Sequence, residues 1–164
     1  MWLSDRRNLL IGSVALLLAG ACGFTPVYGP NGIGTALNGK VNVAEPTDRD
    51  TYLLVQELEQ RFGQPVSSEY DLTLALLTVT EGEAVTASGD ITRFSLVGEV
   101  EYALTHRTSQ TRVSQGVVRN FTGYSATGST VETLASERDA QERLMIIIAD
   151  QIVAQIYATA ELVE

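Results

Sequence analysis

Apolar and polar positions alternate with two periods along this chain, and the change of period divides it into elements. Val41-Asn42-Val43-Ala44 alternates and stops before Pro46, which reads as a short strand. From Arg49 the period lengthens. Leu54, Val55, Leu58 and Phe62 fall on one face at helical spacing, Thr47 or Asp48 can cap the start, and Gly63 and Pro65 close the end. The spacing predicts a helix over 49–62. Tyr70, Leu72, Leu74 and Leu76 then alternate with Asp71, Thr73 and Ala75 as a half-buried strand. Leu77 and Val79 shift the phase by one, which predicts a bulge or a second buried face. Glu81-Gly82-Glu83 is a weaker turn signal than Ser88-Gly89-Asp90. Phe94, Leu96, Val100, Tyr102 and Leu104 share the face of a third strand, with Gly98 where another element packs closely. A turn near 107–110 leads to a fourth strand over about 112–124, in which Val117 and Val118 point to opposite faces. Ser129-Thr130-Val131-Glu132 has the form of a capping box. A long helix follows to about Ala158, with Leu144, Met145, Ile148, Ile152 and Ile156 in a stripe that Ile147 and Val153 widen.

The order is strand–helix–strand–strand–strand–helix. Three strands joined by turns make an antiparallel meander, and two helices with apolar stripes cover one side of it. The expected fold is α+β: a two-layer sandwich of a four-stranded, largely antiparallel sheet with both helices on one face.

The N-terminus follows another pattern. Asp5-Arg6-Arg7-Asn8 precedes Leu9–Ala21, LLIGSVALLLAGA, an uncharged run too short for the roughly 20 residues of a membrane span. Ala19, Gly20 and Ala21 then precede Cys22, completing the charged–apolar–small order of an export signal. The stretch Leu18-Ala19-Gly20-Ala21-Cys22 resembles the bacterial lipoprotein signal, although Ala19 stands where the usual form has a branched aliphatic residue. The resemblance implies cleavage before Cys22 and lipidation of that residue. Several acyl chains would hold the protein to a membrane, since each buried methylene is worth about 0.8 kcal/mol. Gly23 after the cysteine implies sorting to the outer membrane. The expected organisation is a signal over 1–21, a lipidated cysteine and glycine-rich tether over 22–39, and one folded domain over 40–164.

Composition narrows the chemistry. The formal net charge is −9, with one lysine, Lys40, and no basic cluster. Such a surface repels nucleic acid at long range. Cys22 is the only cysteine and His106 the only histidine. His106 reads as a solvated turn residue beside Arg107, and neither zinc ligation nor a nucleophile–base pair is legible. Glu81/Glu83 and Glu99/Glu101 share strand faces as paired carboxylates would, and equally as a solvated polar face. No cofactor and no catalytic activity is expected. The arginines Arg93, Arg107, Arg112 and Arg119 lie in the strand region. Each can grip a phosphate with its two-donor fork, or balance Asp90, Glu99 and Glu101 across strands.

Taken together, Cys22-Gly23-Phe24-Thr25-Pro26-Val27-Tyr28, the short strand before a first helix, the run Arg93–Leu104 and the long last helix resemble the LPS-assembly lipoprotein family, also called rare lipoprotein B. The resemblance implies a non-enzymatic outer-membrane lipoprotein on the periplasmic side. It implies a protein that plugs and helps assemble the β-barrel that delivers lipopolysaccharide, with Arg93, Arg107 and Arg112 as the candidates for contact with lipopolysaccharide itself. The alternative is a lipid-anchored periplasmic module that binds a ligand or lipid between sheet and helices.

Overall fold

The computed structural model describes residues 26–30, 32–85 and 91–162. Cys22 and the Ser88-Gly89-Asp90 turn lie outside the described residues. The chain divides into two compact units, 1–35 and 36–164. In the described part of the first, backbone bonds close two turns, from Gly29 N–H to the Pro26 carbonyl and from Gly32 N–H to the Gly29 carbonyl, both 2.9 Å.

The elements, in chain order, are α1 (Ile33–Leu37), β1 (Val41–Val43), α2 (Arg49–Phe62), β2 (Tyr70–Val85), β3 (Ile91–His106), β4 (Arg112–Ser125) and α3 (Thr130–Thr159). Helix α1 falls inside the stretch expected to be an irregular tether. Leu37 is fully buried, and burial outweighs the weak helix propensity of a glycine-bearing segment.

The sheet has the order β1-β2-β3-β4. β1 and β2 are parallel, and β2–β3 and β3–β4 are antiparallel. A parallel neighbour requires a crossover connection, and α2 supplies it. The capping at both long helices is as expected. Asp48 accepts from the Thr51 N–H at 2.8 Å while Thr51 Oγ1 accepts from the Asp48 N–H at 2.9 Å. Ser129 and Glu132 make the same reciprocal pair. Gly63 ends α2 at φ +75°, a conformation costly for any residue with a Cβ.

Both long helices cover one sheet face. Leu54, Leu58 and Phe62 of α2 and Leu144, Ile148, Ile152 and Ile156 of α3 are fully buried, together with Val100 and Leu104 of β3. Each such side chain contributes roughly 1.5–3 kcal/mol. Gly98 lets α3 approach: a Cβ there would stand 2.8 Å from Ile148 Cδ1 and 3.1 Å from Leu144 Cδ2. Polar bonds fix the same seam. The buried Thr122 hydroxyl donates to the Ala140 carbonyl at 2.9 Å, and the Tyr102 hydroxyl to Gln155 Oε1 at 3.1 Å. Arg61 joins the helices, donating to Asp150 on α3 and to Glu57 on its own helix, both at 2.7 Å.

The register decides two points that the sequence left open. β2 does not turn at Glu81-Gly82-Glu83. It continues in register against Ser95 and Phe94, and its irregularity comes between Gly82 and Ala84. There is also no bulge at Leu77, where pairing with β3 is continuous. Leu77 and Val79 instead project onto the other side of the sheet, exposed by 63% and 45%.

Candidate functional site

Among the described residues no helix covers the second face of the sheet, and the register shows what it presents. Thr73, Ala103 and Gln115 stand in one row across β2, β3 and β4. Ala75, Glu101 and Val117 form the next row, then Leu77, Glu99 and Arg119, then Val79, Val97 and Phe121. The result is an apolar band of Leu77, Val79, Val97, Val117 and Phe121 interrupted by charge. Phe121 is 65% exposed and Val117 55%. A group of exposed apolar side chains of this kind, rimmed by polar ones, is the character of an interaction surface. Small side chains at Thr73, Ala75 and Ala103 leave an open hollow of about 560 Å³, which Glu101, Arg112 and Gln115 also line.

The arginines divide into two places. Arg93 sits near the β2–β3 hairpin, opposite Ser125, with Glu83 at 3.6 Å. Arg107 and Arg112 sit at the other end, where Arg112 pairs with Thr105. At roughly 3.3 Å per residue the two ends are about 40 Å apart along β3, so Arg93 does not share one phosphate site with the other two. Arg107 is already engaged, its fork on Asp71 at 2.6 and 3.0 Å. That fork, with Asn42, holds the Asp71 carboxyl below the usual carboxylate range. Arg112 donates to Gln115 Oε1 at 2.5 Å. Arg119 stands 4.0 Å from Glu99, the cross-strand balance that the sequence allowed.

His106 is not in the turn as expected but ends β3 opposite Tyr70, half-buried, its Nδ1 2.9 Å from Ser109 Oγ and its ring edge-on to that of Tyr70. Among the described residues no group of three or more His, Cys, Asp or Glu is placed to hold a metal ion. Nor is any described helix long and apolar enough to cross a membrane. The sequence offered a second apolar face at Leu77 and Val79 as one of two readings, but did not join it to Val97, Val117 and Phe121 as one band. The signal was present, since Leu76-Leu77 and Val117-Val118 place apolar residues on both faces of their strands.

Comparison with known proteins follows the same lines. The family described as LptE, Lipopolysaccharide-assembly, matches residues 39–156. No curated protein sequence matches the chain. Among solved structures, a lipoprotein from Caulobacter crescentus CB15 is similar at a TM-score of 0.62 and 19% identity, over 75% of this chain and 92% of that one. The rare lipoprotein B of Shewanella oneidensis gives 0.56 and 13%, over 73% and 92%. A minor lipoprotein from Acinetobacter baumannii gives 0.52 and 17%, over 75% and 95%. At these identities the likenesses concern the fold, an α+β sandwich shared by lipoproteins of three bacteria. The family match spans well over half of the sequence, and on that ground the chain belongs to the LptE lipopolysaccharide-assembly family.

Proposed function

We propose that this outer-membrane lipoprotein of lipopolysaccharide assembly acts as the plug and assembly partner of the β-barrel that delivers lipopolysaccharide to the outer leaflet. The carrying observation is the family match over 39–156, which takes in every element from β1 through most of α3. The protein works as a scaffold, without catalysis. Residues 1–21 act as a removable signal, Cys22 carries the lipid, residues 22–39 tether the domain on the periplasmic side, and 40–164 form it. The fully buried apolar side chains between helices and sheet support a docking body over a carrier with an internal pocket. Contact with lipopolysaccharide phosphates would fall to Arg93 at one end of the sheet and Arg112 at the other. Arg107, held by Asp71, is the weaker candidate.

Depletion of the protein in its own cells tests the reading. Lipopolysaccharide newly exposed at the cell surface, measured by antibody labelling of intact cells, should fall as the protein is lost. Unchanged surface display would refute it. The Cys22→Ala variant should appear in the soluble periplasmic fraction when no barrel partner is present; membrane retention there would refute the lipid anchor.

A further inference from the structure

The β2 backbone carries hydrogen-bonding groups that its own sheet leaves open. β1 pairs only with Tyr70–Leu72, whereas β2 continues to Val85. The Ala44 N–H donates to the Leu72 carbonyl at 2.9 Å, so the Leu72 backbone faces the β1 side. Alternate residues of a strand turn their N–H and C=O the same way. The backbones of Leu74, Leu76, Thr78 and Thr80 therefore face that edge beyond the end of β1, and among the described residues no backbone group pairs with them there. The open stretch, 74–80, spans about 24 Å at roughly 3.4 Å per residue. It ends at the irregularity after Gly82.

The opposite edge is treated differently. On β4 the Val113 carbonyl accepts from the Glu161 N–H at 3.1 Å, and the Phe121 N–H donates to Asn120 Oδ1 at 2.8 Å. Both residues belong to the outward-facing set, so the chain closes part of that edge itself. Arg112 and Arg119 add charge along it. Natural edge strands are commonly guarded by charged residues, prolines or bulges. Thr73–Thr80 of β2, TLALLTVT, has none of these.

Side chains beside the open edge are apolar on both faces. Leu74 and Leu76 are half-buried on the helix side, while Leu77 and Val79 are exposed on the other. Charge then discriminates between occupants. Two ionised groups are fixed at the edge, one by the strand itself and one by a bond to it, and both are acidic. Glu81 follows it on the same strand, and Asp50 accepts from Thr78 Oγ1 at 3.1 Å. A second copy would bring the same acids to the contact, on a chain already at −9. A different polypeptide bearing a basic side chain at the Glu81 end is complementary.

We propose that the β2 edge from Leu74 to Thr80 is a strand-addition site for an extended segment of a partner polypeptide, apolar on both faces and basic at the end that meets Glu81. Main-chain bonds supply the affinity and the flanking side chains the selectivity. The donor is the barrel partner, so this assignment rests on the proposed function.

The test uses the full-length lipoprotein, extracted in mild detergent from its own cells with whatever barrel protein accompanies it. A photocrosslinking benzoylphenylalanine replaces Thr80 on the open edge or, as a control, the exposed Gln60 of α2. Adducts are identified by mass spectrometry. In parallel, Thr80→Pro removes an edge-facing N–H while sparing the β2–β3 bonds, which use the alternate residues. The expected result is an adduct to the barrel protein from position 80 that exceeds any from position 60. Thr80→Pro should reduce barrel recovery about two- to tenfold, the weight of one hydrogen bond. An adduct between two copies of the lipoprotein overturns the proposal in favour of self-association. Normal barrel recovery without a position-80 adduct overturns it while leaving the proposed function standing. Absence of any barrel protein from the wild-type extract overturns both.

Discussion

Filling Gly98 tests how α3 is seated on the sheet. The glycine lies in β3 between Thr78 and Asn120, under two fully buried side chains of the helix. In Gly98→Ala the new methyl would stand 2.8 Å from Ile148 Cδ1 and 3.1 Å from Leu144 Cδ2. Two effects oppose each other. Replacing a strand glycine recovers roughly 0.5–1 kcal/mol of backbone entropy, while overpacking a close-packed interior costs about 1–3 kcal/mol. The nearest atom is the end of a side chain and can give a little, so the expected net loss is about 1 kcal/mol. Ile148→Val deletes the atom in the way and alone costs about 0.5–1.5 kcal/mol. In the double variant the added methyl occupies room the deletion opens. Its loss should therefore fall short of the sum of the single losses by about 0.5–1 kcal/mol. Urea unfolding followed by circular dichroism measures all four stabilities. Additivity within about 0.3 kcal/mol, or stabilisation by Gly98→Ala alone, would refute this picture of the interface.

Thr122→Val should cost about 1 kcal/mol in the same assay, because it removes a buried hydroxyl bonded to the Ala140 carbonyl. Asp48→Ala should cost about 0.5–2 kcal/mol through loss of the α2 cap. Gly63→Ala should destabilise by about 1 kcal/mol or more, since its φ of +75° is strained for alanine and its Cβ would meet Asn38 Oδ1 at 2.7 Å. Acid should weaken the fold in a defined window. Backbone and side-chain donors from Thr51 hold Asp48 below its ordinary range, Ser129 does the same for Glu132, and Arg107 for Asp71. A carboxylate with a lowered folded pKa contributes stability above the unfolded value, about 4, and loses it as pH falls through the folded one. Urea midpoints should thus hold from pH 7 to about 5 and drop below about 4, with a smaller drop in Asp48→Ala.

The two long helices were legible because their boundaries are written locally. Asp48 and Ser129 cap, Gly63 stops, and the apolar spacing between them is unambiguous. Gly98 was legible as a close approach because a glycine on an apolar strand face has few other uses. What failed was local evidence overridden by pairing. Glu81-Gly82-Glu83 has turn chemistry, yet Ser95 and Phe94 opposite extend the strand through it. Leu77 and Val79 left a bulge and a second apolar face both open, and only the continuous pairing with β3 chose between them. The arginines fared similarly. Arg93 and Arg107 are close in sequence, but β3 is long and straight enough to put them at opposite ends of the sheet. The partner of Arg107, Asp71, comes from a neighbouring strand and has no signature in sequence spacing. The short β1 was legible from Pro46, whereas the open β2 edge beyond it required the register.

Co-purification is the most direct test of the claim that this protein works inside the lipopolysaccharide-delivery barrel. Extracted from its own outer membrane in gentle detergent, the lipoprotein should elute with one large β-barrel protein in equal amounts. Elution as a solitary monomer under those conditions would contradict the account.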